Sequence, residues 1–291
     1  KIPLKPDKEI KKKIIQKIDS KLSQKSLKSK RKFAKELEDY KKLSEKIVEL
    51  VLEIDAAIAI KEFSEDFDME MADLNDDYTE IVNGRNLFIE NPDPVDYKIE
   101  NVRLLTGVNS GGKTSTLDLL AQIYILTLMG LPVPAEQAKI SSVEKIYYYR
   151  NIKKTMSTGA LEHILIRFNN LLSSEKSKLV LIDELENITE PGASAKIMSG
   201  ILDILEERED IAIFVSHLAD KIREKTEKEI PVDGIQPKGL DENLNLKVDR
   251  TPKRNLLAMS TPELIVEKLS EKNDSHFYRK LSEKFEDKNQ D

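Results

Sequence analysis

The stretch "LLTGVNSGGKTST", residues 104–116, decides the fold predicted for this chain. It matches the pattern G-x-x-x-x-G-K-[ST], with Gly107, Gly112, Lys113 and Thr114 at the fixed positions. Glycines let backbone N–H groups converge on phosphate oxygens, and the N-terminus of the helix that follows adds its dipole. The stretch therefore predicts a nucleotide phosphate loop between a buried strand and a helix.

Each part of such a loop has an expected role. Lys113 is expected to reach the outer phosphates, and the hydroxyl of Thr114 is expected to bind Mg²⁺. Because the sequence has no N-K-x-D motif for guanine, ATP is preferred over GTP as the nucleotide. The predicted nucleotide-binding residues of the loop are Gly107, Val108, Asn109, Ser110, Gly111, Gly112, Lys113, Thr114 and Ser115.

The segment "KLVLIDE" supplies the partner of the loop. It reads as an apolar strand that ends in Asp183, which places a carboxylate beside the Mg²⁺. The next residue, Glu184, can orient or deprotonate the attacking water. Adjacent Asp and Glu favour a nucleotide hydrolase over a small-molecule kinase, because a kinase needs no water-activating Glu.

Two further features distinguish among ATPases. Ser157 and Thr158 stand at the start of a predicted helix, where a hydroxyl and free N–H groups form a second phosphate site; the alternative is a plain helix cap. His217 ends the next strand and can sense the terminal phosphate; the alternative is a surface histidine. The order of loop, Ser-containing helix start, Asp-Glu and His is typical of ABC-type ATPases.

The remaining sequence predicts a helical arm followed by an α/β domain. Residues 7–65 contain no Gly or Pro and carry apolar residues at helical spacing, so they form one long helix or a helical hairpin with its turn in residues 23–32. Beyond Arg85, strands alternate with helices, which indicates a parallel-rich sheet flanked by helices. We expect an arm over residues 1–65, an ATPase core over 66–230, and a C-terminal strand ("NLKVDR"), helix and charged tail over 231–291.

Composition suggests a cellular context and a polyanionic partner. The chain has 291 residues, no Cys and a net charge of -6, and the lack of Cys favours an intracellular, cytoplasmic protein. The most apolar stretch, residues 117–135, is too short and too interrupted to cross a bilayer, so no membrane partner is expected. Because the chain begins with Lys1 rather than Met, we expect it to be a fragment.

The basic residues concentrate in the arm. Residues 1–47 hold 17 Lys and Arg against 7 Asp and Glu, although the whole chain is acidic. Such an asymmetry suggests sequence-independent contacts to nucleic-acid phosphates, with a solvated helix face as the equally weighted alternative. The candidate DNA contacts are Lys25, Lys28, Lys30, Arg31 and Lys32.

Together these motifs resemble the MutS family. "TGVNSGGKTSTLDLLAQIYILTLMGLPVPA" is similar to that family's phosphate loop and helix, "STGALE" stands where it has S-T-F-M-x-E, "VLIDELENITEPGAS" resembles its D-E-L-G-x-G-T segment, and "VSHLAD" stands where it has T-H-Y. "DAAIAIKEFSEDF" and "NGRNLF" resemble the end of its lever helix and the entry to its ATPase domain. The resemblance covers roughly residues 40–225.

The resemblance implies a P-loop ATPase with Mg²⁺, acting as a homodimer on DNA in repair or recombination. Each ATP would lie between residues 107–114 of one chain and Ser157 of the other, and Lys113, Thr114, Asp183, Glu184 and His217 would keep their family roles. Gly159, Ala160 and residues 187–189 depart from the family pattern and lean toward the branch without a mismatch-reading domain. Phe63-Ser64-Glu65 matches the mismatch reader as a string, but it lies in the arm helix and is rejected.

Several assignments stay open at this stage. Phe88 or Tyr97 is a candidate to stack on adenine. Tyr147 to Tyr149 are expected in the core, and His163 and His276 are expected to be structural or exposed. Alternative functions are an SMC-like DNA-organising ATPase, whose coiled coils are longer, and the ATP-binding subunit of a membrane transporter.

Overall fold

The computed structural model describes residues 7–108, 111–150, 158–240, 246–258, 265–266, 268–270 and 275–286. It divides the chain into two compact units, Lys1–Glu62 and Phe63–Asp291. Three predicted site residues lie outside the described residues: Asn109, Ser110 and Ser157. The three-part division at residues 65 and 230 stays a prediction.

Helix α1 (Lys8–Asp66) is one continuous helix of 59 residues. It runs without a turn through residues 23–32, so the single-helix alternative is the one observed and the hairpin is not. The absence of Gly and Pro explains this, since nothing in the segment interrupts the helical hydrogen bonds. Its apolar residues are exposed, for example Ile14 at 53% and Leu37 at 60%.

The second unit contains the remaining elements. We number them in chain order as β1 (Asp73–Asn75), β2 (Thr79–Gly84), β3 (Val95–Ile99), β4 (Val102–Gly107), α2 (Lys113–Leu128), β5 (Gln137–Ser141), β6 (Lys145–Tyr149), α3 (Thr158–Leu172), β7 (Lys178–Asp183), α4 (Pro191–Glu207), β8 (Ile211–Val215), α5 (Ala219–Arg223), β9 (Val232–Ile235), β10 (Pro237–Leu240), β11 (Leu246–Val248) and α6 (His276–Glu286). A short 3-10 helix, Leu185–Ile188, lies between β7 and α4.

The central sheet has the strand order β6-β7-β8-β4-β9, and every neighbouring pair is parallel. This confirms the predicted mixed α/β fold. Strands β4, β7 and β8 are buried at every position, because helices cover both faces of a parallel sheet. One hydrophobic cluster includes α2 and the other includes α3 and α4. The carboxyl ends of β4, β7 and β8 therefore meet at one edge of the sheet.

A second sheet was not predicted. It has four strands in the order β1-β5-β2-β3, with β2 antiparallel to both of its neighbours. In β3, buried apolar residues alternate with the more accessible Asp96 and Lys98. Short strands of mixed polarity are hard to predict from local sequence, because their formation depends on the strands with which they pair.

The C-terminal part of the second unit is tied to the central sheet. Arg103 of β4 forms a buried ion pair with Asp233 of β9, and the backbone N–H of Asn255 donates to the same carboxylate over 3.0 Å. The last predicted strand is present as β11, which pairs with β10 in an antiparallel hairpin. The charged tail contains helix α6. Among the described residues, no helix is both long and apolar enough to cross a bilayer.

Candidate active site

The phosphate loop connects β4 to α2 at the carboxyl edge of the central sheet. Gly107 ends β4 with φ 150°, and a Cβ there would lie 2.9 Å from the backbone oxygen of Ile235 on β9. Gly112 is the N-cap of α2 with φ 104°. These two positions require glycine, one for close backbone approach and the other for its dihedral angle. Helix α2 begins directly after the loop, as the sequence predicts.

Lys113 folds its side chain back over the loop. Its Nζ donates to the backbone oxygens of Gly107 (2.9 Å) and Val108 (3.1 Å), and the residue is 5% exposed. Burial lowers the pKa of Lys113, and nearby carboxylates partly oppose that shift. Burial disfavours the charged form of Lys113, and the negative charge of incoming phosphates would stabilise it.

Thr114 and Asp183 meet as predicted for a magnesium site. The hydroxyl of Thr114 donates to Oδ2 of Asp183 over 2.8 Å. Oδ1 of Asp183 is buried and has no hydrogen-bond partner among the described residues. Burial raises the pKa of Asp183, although the bond from Thr114 opposes the shift. A hydroxyl beside an unsatisfied carboxylate oxygen fits Mg²⁺, which prefers hard oxygen ligands.

Glu184 has an unusual backbone conformation. Its φ is 49° and its ψ is 58°, so it occupies the left-handed region that a residue with a Cβ rarely adopts. Its N–H donates to the backbone oxygen of Val215 over 3.1 Å, which pins it to the neighbouring strand β8. Such strain is concentrated at functional sites, where the surrounding structure enforces it.

His217 follows β8 and contacts Glu184. Its Nε2 lies 3.1 Å from Oε1 of Glu184, and both side chains are partly exposed, at 42% and 36%. The structure therefore brings together the Asp-Glu pair, the phosphate-loop threonine and the histidine. These residues lie at or just after the ends of three neighbouring strands, β4, β7 and β8. The sequence could place them at one edge of the sheet but could not orient their side chains.

Glu186 belongs to the site and was not singled out by the sequence. Its Oε1 accepts a hydrogen bond from the backbone N–H of His217 over 2.7 Å. Its Oε2 is buried without a hydrogen-bond partner in the described part of the chain. The only indication in the sequence is that Glu186 stands where the family pattern D-E-L-G-x-G-T has its first Gly.

The segment before β3 packs against the first turns of α2. The buried side-chain amide of Asn86 donates to the backbone oxygen of Ser115 over 3.0 Å, and its Oδ1 accepts from Gln122 over 2.9 Å. Phe88, next to this network, is 78% exposed and available to stack on a base. Tyr97 is unsuitable as a stacking candidate, because it is 3% exposed and its hydroxyl donates to Asp233.

Arg250 approaches the loop from the C-terminal part of the chain. Its aliphatic carbons lie 3.7–3.9 Å from the position that a Cβ of Gly112 would occupy, and its Nε pairs with Oδ2 of Asp93 at 2.9 Å. With Asn86 and Ser115, these residues line a small cleft beside the loop. The sequence offered no motif for this contact, since Arg250 is far from the loop along the chain.

Other predicted residues have different outcomes. Tyr149 stacks on Phe168 and Tyr148 donates to Asp118, so the tyrosine triplet packs in the fold as expected. His163 and His276 are exposed. The described part of α3 begins at Thr158, after Ser157. The candidate DNA-contacting residues are exposed on α1: Lys25, Lys28, Lys30, Arg31 and Lys32.

Comparison with known proteins shows which family this chain resembles over most of its length. The model of MutS domain V matches residues 103–252. The DNA-binding protein MutS2 of Pyrococcus furiosus is 42% identical over 261 residues, which cover 84% of this chain and 45% of that protein. The endonuclease MutS2 of Clostridium kluyveri is 26% identical over 198 residues, covering 64% of this chain and 25% of that protein.

A third similar protein is the endonuclease MutS2 of Clostridium botulinum strain Okra, which is 26% identical over 182 residues. That match covers 59% of this chain and 23% of that protein. The chain thus spans less than half the length of the curated relatives that it matches.

Proposed function

The chain belongs to the MutS family of ATPases, and from that membership we propose that it binds MgATP, hydrolyses it and thereby changes its grip on DNA. The observation that carries the proposal is the convergence of Thr114, Asp183, Glu184 and His217 at one edge of the central sheet. This is the arrangement that nucleotide hydrolysis requires, with a metal position and a water-activating group side by side.

Binding uses the loop and the start of α2. The backbone of residues 107–112 and the α2 N-terminus receive the phosphates, and Lys113 leaves the carbonyls of Gly107 and Val108 to contact them. Asn109, Ser110 and Ser115 complete the proposed set. Phe88 and Arg250 stand at the sides of the loop and are suited to the base and ribose end of the nucleotide.

Magnesium would be held by Thr114 and Asp183 together with nucleotide phosphates. Bound there, the ion would neutralise charge on the phosphates as they separate. Glu184 orients the attacking water and accepts its proton, because it follows Asp183 directly and faces His217. In the proposal His217, which contacts the carboxylate of Glu184, senses the terminal phosphate.

The second half of each site is proposed to come from another copy of the chain. In that arrangement Ser157 of one protomer contacts the nucleotide held by the loop of its partner. A helix N-terminus is suited to this role, because its free N–H groups attract phosphate oxygens. ATP binding then closes a homodimer, and hydrolysis releases it.

DNA binding is proposed for the helical arm over residues 1–65, with residues 66–230 as the ATPase core and 231–291 as its C-terminal extension. The basic residues in the described part of the arm are exposed and suit phosphate contacts that do not read sequence. The name of the Pyrococcus furiosus relative, DNA-binding protein MutS2, supports a DNA partner. We propose DNA repair or recombination as the process. Family membership argues against the SMC-like and transporter alternatives.

The experiment compares ATP hydrolysis by the unmodified chain and Glu184→Gln, with Glu175→Gln in an exposed loop as the matched control. Removal of a general base is expected to lower turnover by about 100-fold or more. Light scattering with and without ATP follows dimerisation, and both assays are repeated with duplex and four-way DNA. We expect the Glu184→Gln chain to remain an ATP-bound dimer and DNA to change the turnover of the unmodified chain.

Each part of the proposal can fail separately. A chain that hydrolyses ATP as a monomer would contradict the composite site. ATP-driven dimers whose turnover no DNA alters would contradict the coupling to DNA. Equal turnover by Glu184→Gln and Glu175→Gln would remove Glu184 from the mechanism.

A further inference from the structure

We propose that Glu186 is a positioning residue, whose carboxylate holds the backbone of His217 and thereby sets the imidazole against Glu184. This inference rests on the proposed ATP hydrolysis and adds a residue to it. The decisive contact is the 2.7 Å hydrogen bond from the N–H of His217 to Oε1 of Glu186. In this proposal Glu186 acts through His217.

The hydrogen bond from His217 to Glu186 is expected to be strong. A backbone N–H that donates to an ionised carboxylate makes a charge-assisted hydrogen bond, which is shorter and stronger than one between neutral groups. Glu186 is only partly exposed, and its Oε2 is buried without a hydrogen-bond partner among the described residues. A carboxylate that is so poorly solvated loses more if its one strong bond breaks.

The backbone of Glu186 is also anchored. Its carbonyl oxygen accepts a hydrogen bond from the hydroxyl of Ser194 in α4, over 3.1 Å. The short 3-10 helix after Glu184 thus connects α4 on one side to His217, two residues after β8, on the other. A displacement of His217 must move this connection or break the bond to Glu186.

The position of the His217 backbone matters because the imidazole touches Glu184. Nε2 of His217 and Oε1 of Glu184 are 3.1 Å apart. A shift of the His217 backbone would therefore lengthen this contact. Glu186 adds a side-chain hydrogen bond to the backbone bond by which the N–H of Glu184 already joins this segment to Val215 of β8.

A glycine at this position could not do so. In the resemblance the family has the first Gly of D-E-L-G-x-G-T where this chain has Glu186. Glycine has no side-chain acceptor, whereas the carboxylate of Glu186 accepts from the N–H of His217.

The test uses Glu186→Ala, which removes the acceptor, and Glu186→Gln, which keeps an oxygen in the same place without the charge. Glu190→Ala is the matched control, because Glu190 is exposed and caps no backbone group with its side chain. Thermal melting of each variant checks that it folds. The sequence has three histidines, so ¹⁵N-histidine labelling gives a simple amide spectrum in which the signal of His217 is the one lost in His217→Gln.

We expect the amide proton of His217 to resonate downfield in the unmodified chain and in Glu186→Gln, and to move upfield in Glu186→Ala. Turnover of ATP is expected to fall about tenfold in Glu186→Ala, the equivalent of one such hydrogen bond, with KM unchanged. Glu186→Gln is expected to retain most of the turnover. A general loss of stability would not produce this separation of kcat from KM or the rescue by glutamine.

An unmoved His217 amide in Glu186→Ala would overturn the proposal. Equal loss of turnover in Glu186→Ala and Glu186→Gln would also overturn it, because the charge and not the hydrogen bond would then matter. If the unmodified chain does not hydrolyse ATP, the proposed function fails, and the amide signal still decides whether Glu186 holds His217.

Discussion

The hydroxyl of Thr114 donates to one carboxylate oxygen of Asp183 over 2.8 Å, while the other oxygen, Oδ1, is buried and has no partner among the described residues. The carboxylate of Asp183 therefore has one oxygen that accepts a hydrogen bond and one that does not. An unsatisfied buried carboxylate oxygen weakens the folded state, and a bound cation would relieve it. Function and stability are thus expected to oppose each other at Asp183.

Asp183→Asn should stabilise the nucleotide-free chain at neutral pH by roughly 1 kcal/mol, because a neutral amide costs less to bury than a carboxylate. Burial raises the pKa of Asp183 in the folded chain, so the folded state binds this proton more tightly than the unfolded state does. The stabilisation is therefore complete above the folded pKa and disappears as the pH falls below the unfolded pKa. Urea unfolding over a pH series measures it.

The same variant should lose the extra stability that ATP gives in the presence of Mg²⁺, which thermal melting with and without the metal would measure. Thr106→Ser, a change in β4 away from the metal position, serves as a control that should retain the Mg²⁺ effect. A stabilisation by Asp183→Asn that does not depend on pH would show that the ionised carboxylate is not its source.

Gly107→Ala should destabilise the fold by roughly 1–3 kcal/mol, because φ is 150° and the new Cβ would lie 2.9 Å from the backbone oxygen of Ile235. Gly200→Ala is the matched control. Gly200 lies within α4 with open space around it, so alanine there should be neutral or stabilise by about 0.5–1 kcal/mol. Urea unfolding of both variants decides the matter, and equal stabilities would contradict the close approach of β4 and β9.

Arg250→Ala should weaken nucleotide binding by about tenfold, the equivalent of one charge-assisted hydrogen bond. Asp93→Ala should have the opposite effect, because it frees the guanidinium from its 2.9 Å ion pair. Lys253→Ala is the control, since this exposed lysine has only a 3.9 Å pair with Asp249. Calorimetric titration with a non-hydrolysable ATP analogue measures the affinities, and weaker binding in both Arg250→Ala and Asp93→Ala would mean that the ion pair itself is needed.

Neutralising the basic cluster of α1 should reduce the salt dependence of DNA binding. Replacement of Lys25, Lys28, Lys30, Arg31 and Lys32 by Gln is expected to lower the slope of log affinity against log salt by about 0.9 for each residue that contacts a phosphate. Gln has a helix propensity close to that of Lys and Arg, so α1 should persist, which circular dichroism checks. The control replaces exposed lysines elsewhere on α1: Lys35, Lys41, Lys42, Lys46 and Lys61. Equal changes in slope for the two sets would contradict a specific contact at the cluster.

Much of the site could be predicted because local patterns determine it. The glycines of the loop and the apolar run before Asp183 predicted the strand, loop and helix that the structure contains. The segment without Gly or Pro predicted helix, but it left open whether that helix was continuous or folded as a hairpin. The antiparallel sheet could not be predicted in this way, because its short strands depend on pairing between segments that are distant along the chain.

The sequence by itself predicted that Thr114, Asp183, Glu184 and His217 would lie near one edge of the sheet, since the strands of a parallel sheet end on the same side. Only the tertiary structure decided how they are oriented. Glu184 has a left-handed backbone conformation that its neighbours enforce. Glu186 bonds to His217, and Arg250 approaches Gly112, so both contacts join residues that are separated along the chain. Local sequence cannot encode such contacts, because their geometry depends on the packing of whole strands and helices against each other.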